Sequence, residues 1–476
     1  MIHGIPTDYI VGVELFLFIY FISINSFYAL TGAVALLRLP WYVKLHLADP
    51  VRRSHSRLDQ PVTFVVAAFN EEASIVSSLR SILAIEYANF EVIVVNDGSR
   101  DRTLWALDDA FELEPFEGIY RALLQSENIK EIYQSVLHPE LRVIDKANGG
   151  KGDALNAAIN LARYPLIFCG DADSYYHPQA LQWMTEPFQK DARTVAVGGV
   201  VAVAGTSRTK EPNEIAEQHL PHSLLERFQV LEYLRAFLAS RMGFAPFNGL
   251  GIVSGACGLW RKDLLIACGG FRTDTLLEDM EMSMRLHNYC ISTGRPYRVA
   301  FTPYPACWTE VPRTIRCLYE QRKRWHRHLC ESVTIHRRML FGEGGFFSWI
   351  TVPYFVFFEW LAPAVVLFGV VFSIVGDVFG FLDVRAQIWL LGLMIMLAMF
   401  GSLVSILLDE ISFAAYGLSE VWDLFFAALI ENFGYRQFVM LASFSGFLAW
   451  LFRRPANGRK NHPGLFVKAW RPNAPE

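Results

Sequence analysis

The sequence has no CxxC pair, no internal repeat and no complete Walker A motif, and outside one central block it carries little charge. Charged residues make up 19% of the chain, against about 25% in an ordinary soluble domain. That shortage, beside 53% hydrophobic residues, excludes a disordered chain and a wholly soluble enzyme. The seven cysteines all lie between Cys169 and Cys330, a pattern unlike a disulfide-rich secreted scaffold. They read as reduced, mostly buried cytosolic thiols. The net charge is −4, so no basic footprint marks nucleic acid as a partner. Without repeats, a transporter built from duplicated bundles is not expected either.

What the chain does have is long uncharged runs around a charged middle. Most Asp, Glu, Lys and Arg residues fall between positions 38 and 345. Leu15 to Leu37 has no charge and is long enough to cross ~30 Å of hydrocarbon. No basic residue precedes it within the run-up expected of a signal peptide, and Arg38, Lys44, Arg52, Arg53 and Arg57 follow it. The positive-inside rule then puts the N-terminus outside and the charged block in the cytoplasm, at a plasma (inner) membrane. Two further crossings are expected at Ile350 to Gly376 and Gln387 to Leu408. Val421 to Phe452 is interrupted by Asp423, Glu431 and Arg436, with a break at Asn432-Phe433-Gly434-Tyr435. It reads as interfacial helices or a re-entrant pair, which keeps the basic tail (Arg453, Arg454, Arg459, Lys460, Lys468, Arg471) cytoplasmic. The expected organisation is a transmembrane helix over 1–40, a cytoplasmic domain over 41–340, two transmembrane helices over 341–410, and interfacial helices with the tail over 411–476.

The charged block alternates β-branched strand patterns with helical ones. Residues 62–67, 90–95, 141–144 and 166–169 read as strands, and helices are expected after Ile75 and over 151–162. Such alternation predicts an α/β sheet with helices on both faces, whose ligands sit beyond the carboxyl ends of the strands. Polar residues gather at those ends: Asn70 and Glu71, Asp97, Lys146 to Asp153, and Asp171 with Asp173.

Four patterns there and beyond could carry chemistry. Asp171-Ala172-Asp173 offers two carboxylates to a hard ion such as Mg²⁺ or Mn²⁺, or is a solvated turn. Asn148-Gly149-Gly150-Lys151-Gly152 presents a lysine and a helix N-terminus to an anion, or is a flexible turn. Glu278-Asp279 opens a helix, as a general base beside a second acid or as a plain complement to the helix dipole. Gln321-Arg322-Lys323-Arg324-Trp325 is a diphosphate clamp with a stacking platform, or a lipid-facing basic run. His326 and His328 beside it read as interface polar residues. Leu224 to Met242 is amphipathic, with Phe228, Leu231, Leu234 and Leu238 on one face. It could dock the domain on the membrane beside the acceptor path, or simply pack in the core.

Taken in order, Phe69-Asn70-Glu71, Asn96-Asp97-Gly98-Ser99, the Lys151 loop, Asp171-Ala172-Asp173, Gly255-Ala256, Glu278-Asp279 and Gln321 with Arg324-Trp325 resemble the processive family-2 membrane glycosyltransferases. These are the synthases of poly-N-acetylglucosamine, hyaluronan, chitin and cellulose. The resemblance covers roughly residues 60–330 and implies a GT-A domain with a mixed, mostly parallel sheet, attached to a small helical membrane domain. It also implies an inverting transfer from a nucleotide diphosphate sugar, such as UDP-GlcNAc, to a growing β-linked polysaccharide. By that likeness Asn70, Glu71, Asp97 and Lys151 hold the donor, and Asp171 and Asp173 hold Mg²⁺ or Mn²⁺ on its diphosphate. Asp279 is the base, Gln321 and Arg324 bind the leaving diphosphate, and Trp325 and Glu278 meet the acceptor. Leu277 departs from the pattern, where the family more often has Thr or Gly.

Two rival readings remain at this level. One is a single transfer to a lipid-linked acceptor, such as a polyprenyl phosphate or a glycolipid. The other is a membrane sensor that binds a nucleotide sugar without turnover. Three crossings make a thin channel, so polymer export would call for a homo-oligomer or an export partner.

Overall fold

The computed structural model describes residues 7–47, 60–205, 219–275 and 277–452. Arg52, Arg53, Arg57 and the basic tail lie outside the described residues, as does the middle of the segment before Leu224. In chain order the strands are β1 (Val62–Ala68), β2 (Phe90–Asp97), β3 (Leu113–Pro115), β4 (Ile129–Ser135), β5 (Leu141–Lys146), β6 (Leu166–Asp171), β7 (Ser174–Tyr176), β8 (Thr194–Val203), β9 (Gly258–Arg261) and β10 (Arg298–Thr309). The first helices are α1 (Thr7–Leu47), α2 (Ile75–Leu83), α3 (Thr103–Phe111), α4 (Lys151–Leu161), α5 (Ala180–Lys190), α6 (Leu224–Leu234), α7 (Met242–Phe244) and α8 (Lys262–Ala267). They are followed by α9 (Asp279–Ser292), α10 (Ile315–Ile335), α11 (Val352–Tyr354), α12 (Ala362–Phe379), α13 (Val384–Ser412), α14 (Leu418–Ile430) and α15 (Tyr435–Leu451).

The strands form one mixed sheet in the order β3-β4-β5-β2-β1-β6-β9-β8-β10-β7. The central run β5-β2-β1-β6 is parallel, and β9 runs antiparallel to both β6 and β8. Burial on both faces explains the continuous apolar pattern of β1 and β2: Phe64, Val65, Val66, Ile93 and Val94 are all sealed from solvent. Register places the polar ends level. Ala68 pairs with Asn96 and Ala67 with Asp171, so Asn70, Asp97 and Asp171 leave the sheet along one edge.

Among the described residues, three helices are long and apolar enough to cross a membrane: Asp8–Lys44, Ala362–Phe379 and Val384–Ser412. The second begins at Ala362 and not at the expected Ile350. Residues 347–360 instead form π-type and α turns whose Phe347, Val352, Phe355 and Val356 pack with Met280 and Met284 of α9 and Val333 of α10. That apolar stretch covers α9 and α10, so the span expected from Ile350 is shortened to α12. The break expected near Gly434 is present, with α14 ending at Ile430 and α15 starting at Tyr435. At 13 and 17 residues, both are shorter than the ~20 that a full crossing needs.

The amphipathic helix α6 continues through a π-type segment, Arg235–Arg241, into α7. Phe228 and Leu231 pack with Leu424, Ala428 and Tyr435, while Phe237, Leu238 and Met242 join the core that holds Leu39 of α1. Its apolar face is therefore buried between the sheet and the membrane-side helices.

Candidate active site

Asp97 ends β2 and is buried (3% exposed). Its Oδ1 accepts from Lys146 Nζ at 2.7 Å and Gly149 N at 2.9 Å, and its Oδ2 from Gly150 N at 2.7 Å and Asn148 Nδ2 at 3.1 Å. Both oxygens, expected to meet the donor, are thus already occupied in shaping the glycine loop. Gly98 is needed beside it: its φ is +68°, and an added Cβ would sit 2.7 Å from Asn148 N. Lys146, fully buried, is shared with Asp153 at 2.6 Å. Asn70, at φ 59°, accepts from Arg100 N at 2.7 Å and ties β1 to the loop after β2. Glu71 receives Ser74 Oγ at 2.7 Å, and burial pushes its carboxyl up to about 7.

The loop delivers Lys151 as the first residue of α4. Its ammonium lies 2.6 Å from Asp171 Oδ1, 2.9 Å from Glu278 Oε1 and 3.3 Å from Gly255 O. Those two carboxylates raise its pKa well above the usual lysine value, against the cost of burial. Gly255 allows the approach, since a Cβ there would stand 3.0 Å from both Lys151 Nζ and Glu278 Oε1.

Asp173 has no cation paired with it among the described residues, and Ser174 Oγ approaches it only at 3.5 Å. Burial first, then the charges of Asp171 and Glu71, push its carboxyl up to about 8. Two crowded carboxylates with an all-oxygen donor set suit a hard divalent ion. Among the described residues no group of three His, Cys, Asp or Glu side chains could enclose one, so an ion held there would need further oxygens from a ligand.

Asp279 opens α9 beside Glu278, which is buried (4% exposed). Asp279 Oδ1 accepts from Met280 N at 2.7 Å, and Oδ2 from Gly255 N at 3.2 Å.

Helix α10 supplies the remaining wall. Arg324 Nε is buried without an acceptor among the described residues. Burial lowers the Arg324 pKa against the pull of Asp171, Glu278 and Glu320. Gln321 is buried, and its Oε1 accepts from Arg322 Nη1 at 2.8 Å. Trp325 is 38% exposed, with the Arg322 guanidinium 4.3 Å from its ring centroid. Arg322 also donates to Glu232 Oε2 at 2.5 Å, an oxygen that accepts from Tyr435 at 2.6 Å.

The structure therefore brings Lys151, Asp171, Asp173, Glu278, Asp279 and Arg324 around one cleft. It sets Asp97 and Gln321 behind the cleft surface. Arg322, Glu232 and Tyr435 were not legible as a unit, because their meeting depends on packing between distant helices. Of the two neighbouring histidines, His326 lies against α15, where a Cβ on Gly446 would come within 3.2 Å of its Cβ, and His328 faces Asp279.

Residues 60–327 match the family described as "Glycosyltransferase like family 2". The chain is 29% identical over 264 residues to a poly-beta-1,6-N-acetyl-D-glucosamine synthase of Staphylococcus aureus (strain COL), covering 56% of this chain and 53% of that protein. A synthase of the same name from Staphylococcus epidermidis is 27% identical over 276 residues, 58% of this chain and 56% of the relative. The chain thus spans about half the length of these curated relatives. Among solved structures it is similar to a mannosyltransferase from Pyrobaculum calidifontis in complex with GDP-Man and Mn²⁺, at 17% identity and TM-score 0.49 over 92% of this chain and 99% of that one. With more than half of its length matched to the family, this chain belongs to the family-2 glycosyltransferases, with a GT-A-like domain joined to three described helices long and apolar enough to span a bilayer.

Proposed function

We propose that the enzyme moves a sugar with inversion from a UDP-sugar, UDP-GlcNAc foremost, to the end of a growing β-linked polysaccharide. One observation carries this reading. Arg324 brings a guanidinium whose buried Nε has no acceptor among the described residues to the same cleft in which Asp171 and Asp173 are crowded carboxylates. A buried N–H without an acceptor costs about 1–3 kcal/mol, and a ligand that accepts from it removes that cost. A diphosphate bearing a divalent ion satisfies both sets at once.

Asp173 and Asp171 would hold Mg²⁺ or Mn²⁺ together with diphosphate oxygens, and the ion supplies neutralisation of the charge that grows on the leaving group. Arg324 pairs with the same diphosphate as the bond to the anomeric carbon breaks. Asp279 takes the proton of the acceptor hydroxyl, and one carboxylate suffices because direct displacement has no covalent intermediate. Lys151 holds the DxD turn and Glu278 in one arrangement, while Asn70, Glu71 and Asp97 shape the nucleoside end. Trp325 offers a face on which the acceptor sugar stacks. The likeness to synthases named for poly-β-1,6-N-acetyl-D-glucosamine supports a polymer product.

The same reading puts the catalytic domain and the C-terminus in the cytoplasm and the N-terminus outside, supported by Arg38 and Lys44 at the end of α1. Three spans favour export through a homo-oligomer or a partner protein. The test is release of UDP or GDP by protein in nanodiscs with Mg²⁺ or Mn²⁺, across UDP-GlcNAc, UDP-Glc, UDP-GlcA, UDP-Gal and GDP-Man. Release from one donor, lost in Asp279→Asn, is expected. Sizing the product separates a polymer from one sugar on a lipid. Donor binding without release from any donor would favour the sensor.

A further inference from the structure

Helix α10 carries its site residues on one stripe. Gln321, Trp325, His328 and Ser332 follow one another at spacings of four, three and four along its sequence. Beyond Trp325, the stripe brings His328 under Asp279. The His328 side chain is 4% exposed, and its Nε2 lies 3.7 Å from Asp279 Oδ1 and 3.3 Å from Ser332 Oγ. On the other side of the ring, Nδ1 is buried without a partner among the described residues.

That asymmetry selects a tautomer. A proton on Nδ1 would leave a buried N–H unpaired and turn the Nε2 lone pair toward a carboxylate. A proton on Nε2 has an acceptor in Ser332 Oγ at 3.3 Å, with Asp279 Oδ1 farther off at 3.7 Å, and leaves only a lone pair unmatched, the cheaper of the two defects. Burial holds the His328 pKa below the usual histidine value, against the carboxylates of Asp279 and Glu281 on α9, Glu278 just before it and Glu331 on its own helix. The unpartnered Nδ1 thus assigns the ring N–H to Nε2.

Resting on the reading of Asp279 as the base, we infer that His328 is its positioning residue. Met280 N donates to Oδ1 at 2.7 Å, and His328 Nε2 faces the same oxygen at 3.7 Å, a gap that must close for a hydrogen bond, so His328 limits where that oxygen can turn. Oδ2, with its single longer bond from Gly255 N, is the oxygen presented to the acceptor hydroxyl. Without His328 only the bonds from Met280 N and Gly255 N restrain the carboxylate, and the reactive geometry is populated less often.

The test replaces His328 in the full-length enzyme in nanodiscs and compares turnover of the donor used by the wild type with binding of UDP. His328→Leu is expected to lower kcat about tenfold or more, a loss of the kind a misplaced catalytic group produces, with UDP affinity unchanged. His328→Gln places an amide N–H near the Nε2 position and restores kcat to within about threefold of wild type; His328→Asn, shorter in reach, does not. Equal turnover in Leu, Asn and Gln variants, or parallel losses of kcat and UDP affinity in all three, would overturn the inference. A readout independent of turnover is the ¹⁵N spectrum of labelled histidines, with the signal assigned by its absence in His328→Gln. The Nε2–H tautomer, perturbed by Asp279→Asn, is expected; an Nδ1–H tautomer, or no response to Asp279→Asn, counts against it. Should Asp279→Asn keep full transfer while the tautomer is as expected, the base assignment fails and the contact itself stands.

Discussion

Lys151 Nζ lies 2.6 Å from Asp171 Oδ1, and the same ammonium reaches Glu278 Oε1 at 2.9 Å. One cation thereby joins the turn after β6 to the start of α9, the two acidic elements of the cleft. The glycine loop exists to place it. Asp97 accepts two backbone N–H groups of that loop and so fixes where α4, and with it Lys151, begins.

Removing that cation leaves Glu278, only 5% exposed, without its counter-charge. Lys151→Met is expected to cost roughly 1–2 kcal/mol of stability, reduced from the value of a fully buried pair because Lys151 and Asp171 are each about a third exposed. Thermal melting in detergent measures this, and donor binding should weaken by at least about tenfold in the same variant.

Arg324 predicts the opposite sign. Its guanidinium costs desolvation and, at Nε, gains no bond within the described chain. Arg324→Gln should leave the melting temperature of ligand-free protein unchanged or higher while donor binding collapses, the trade of stability for function expected at a prepared anion site. A lower melting temperature would show that Arg324 has a structural partner.

Arg322, two residues away, should behave differently again. It bridges Glu232, Gln321 and the Trp325 ring. Arg322→Ala is expected to destabilise by about 2–3 kcal/mol, since it strands the Glu232 charge and opens the packing over Trp325. Acceptor use should fall with it, read as a rise in acceptor KM.

The carboxyl of Asp173, raised to about 8, makes ligand-free stability depend on pH. The folded state holds this proton more tightly than the unfolded chain does, so the stabilisation is complete below the ordinary carboxylate range, about 4, and is lost as pH rises through about 8. Melting curves without metal should therefore decline over that window. Mn²⁺ added with UDP competes with the proton, so the increase in melting temperature it produces should be larger at high pH than at about pH 6.

Asp279→Asn should lower turnover by about 10²–10⁴-fold, the usual contribution of a positioned general base, with UDP affinity unchanged by titration calorimetry.

Much of this architecture was legible in the residues. Strand patterns with apolar residues at every position announced a sheet buried on both faces, and the polar residues that end β1, β2 and β6 announced one shared rim. The order of the motifs carried the family, since each lies at a strand end or a helix start that the fold repeats. Local chemistry marked the break at Gly434 as well.

Side-chain direction was settled only by tertiary packing. Successive helix residues point about 100° apart, so Arg322 and Arg324 in one basic run face nearly opposite ways. Which of them turns to the cleft depends on how α10 lies against α6 and α15, and Glu232, itself bonded to Tyr435, holds Arg322 buried between those helices. His328 reaches Asp279 by the same geometry. The apolar run at 347–360 satisfied a membrane pattern equally well, and only the presence of α9 and α10 made burial against protein its place. Composition and periodicity determine which residues are buried and which elements form, because those depend on neighbours in the chain. What each buried group faces depends on contacts between segments far apart in the sequence, and for Lys151, Arg322, Arg324 and His328 the tertiary structure alone decided it.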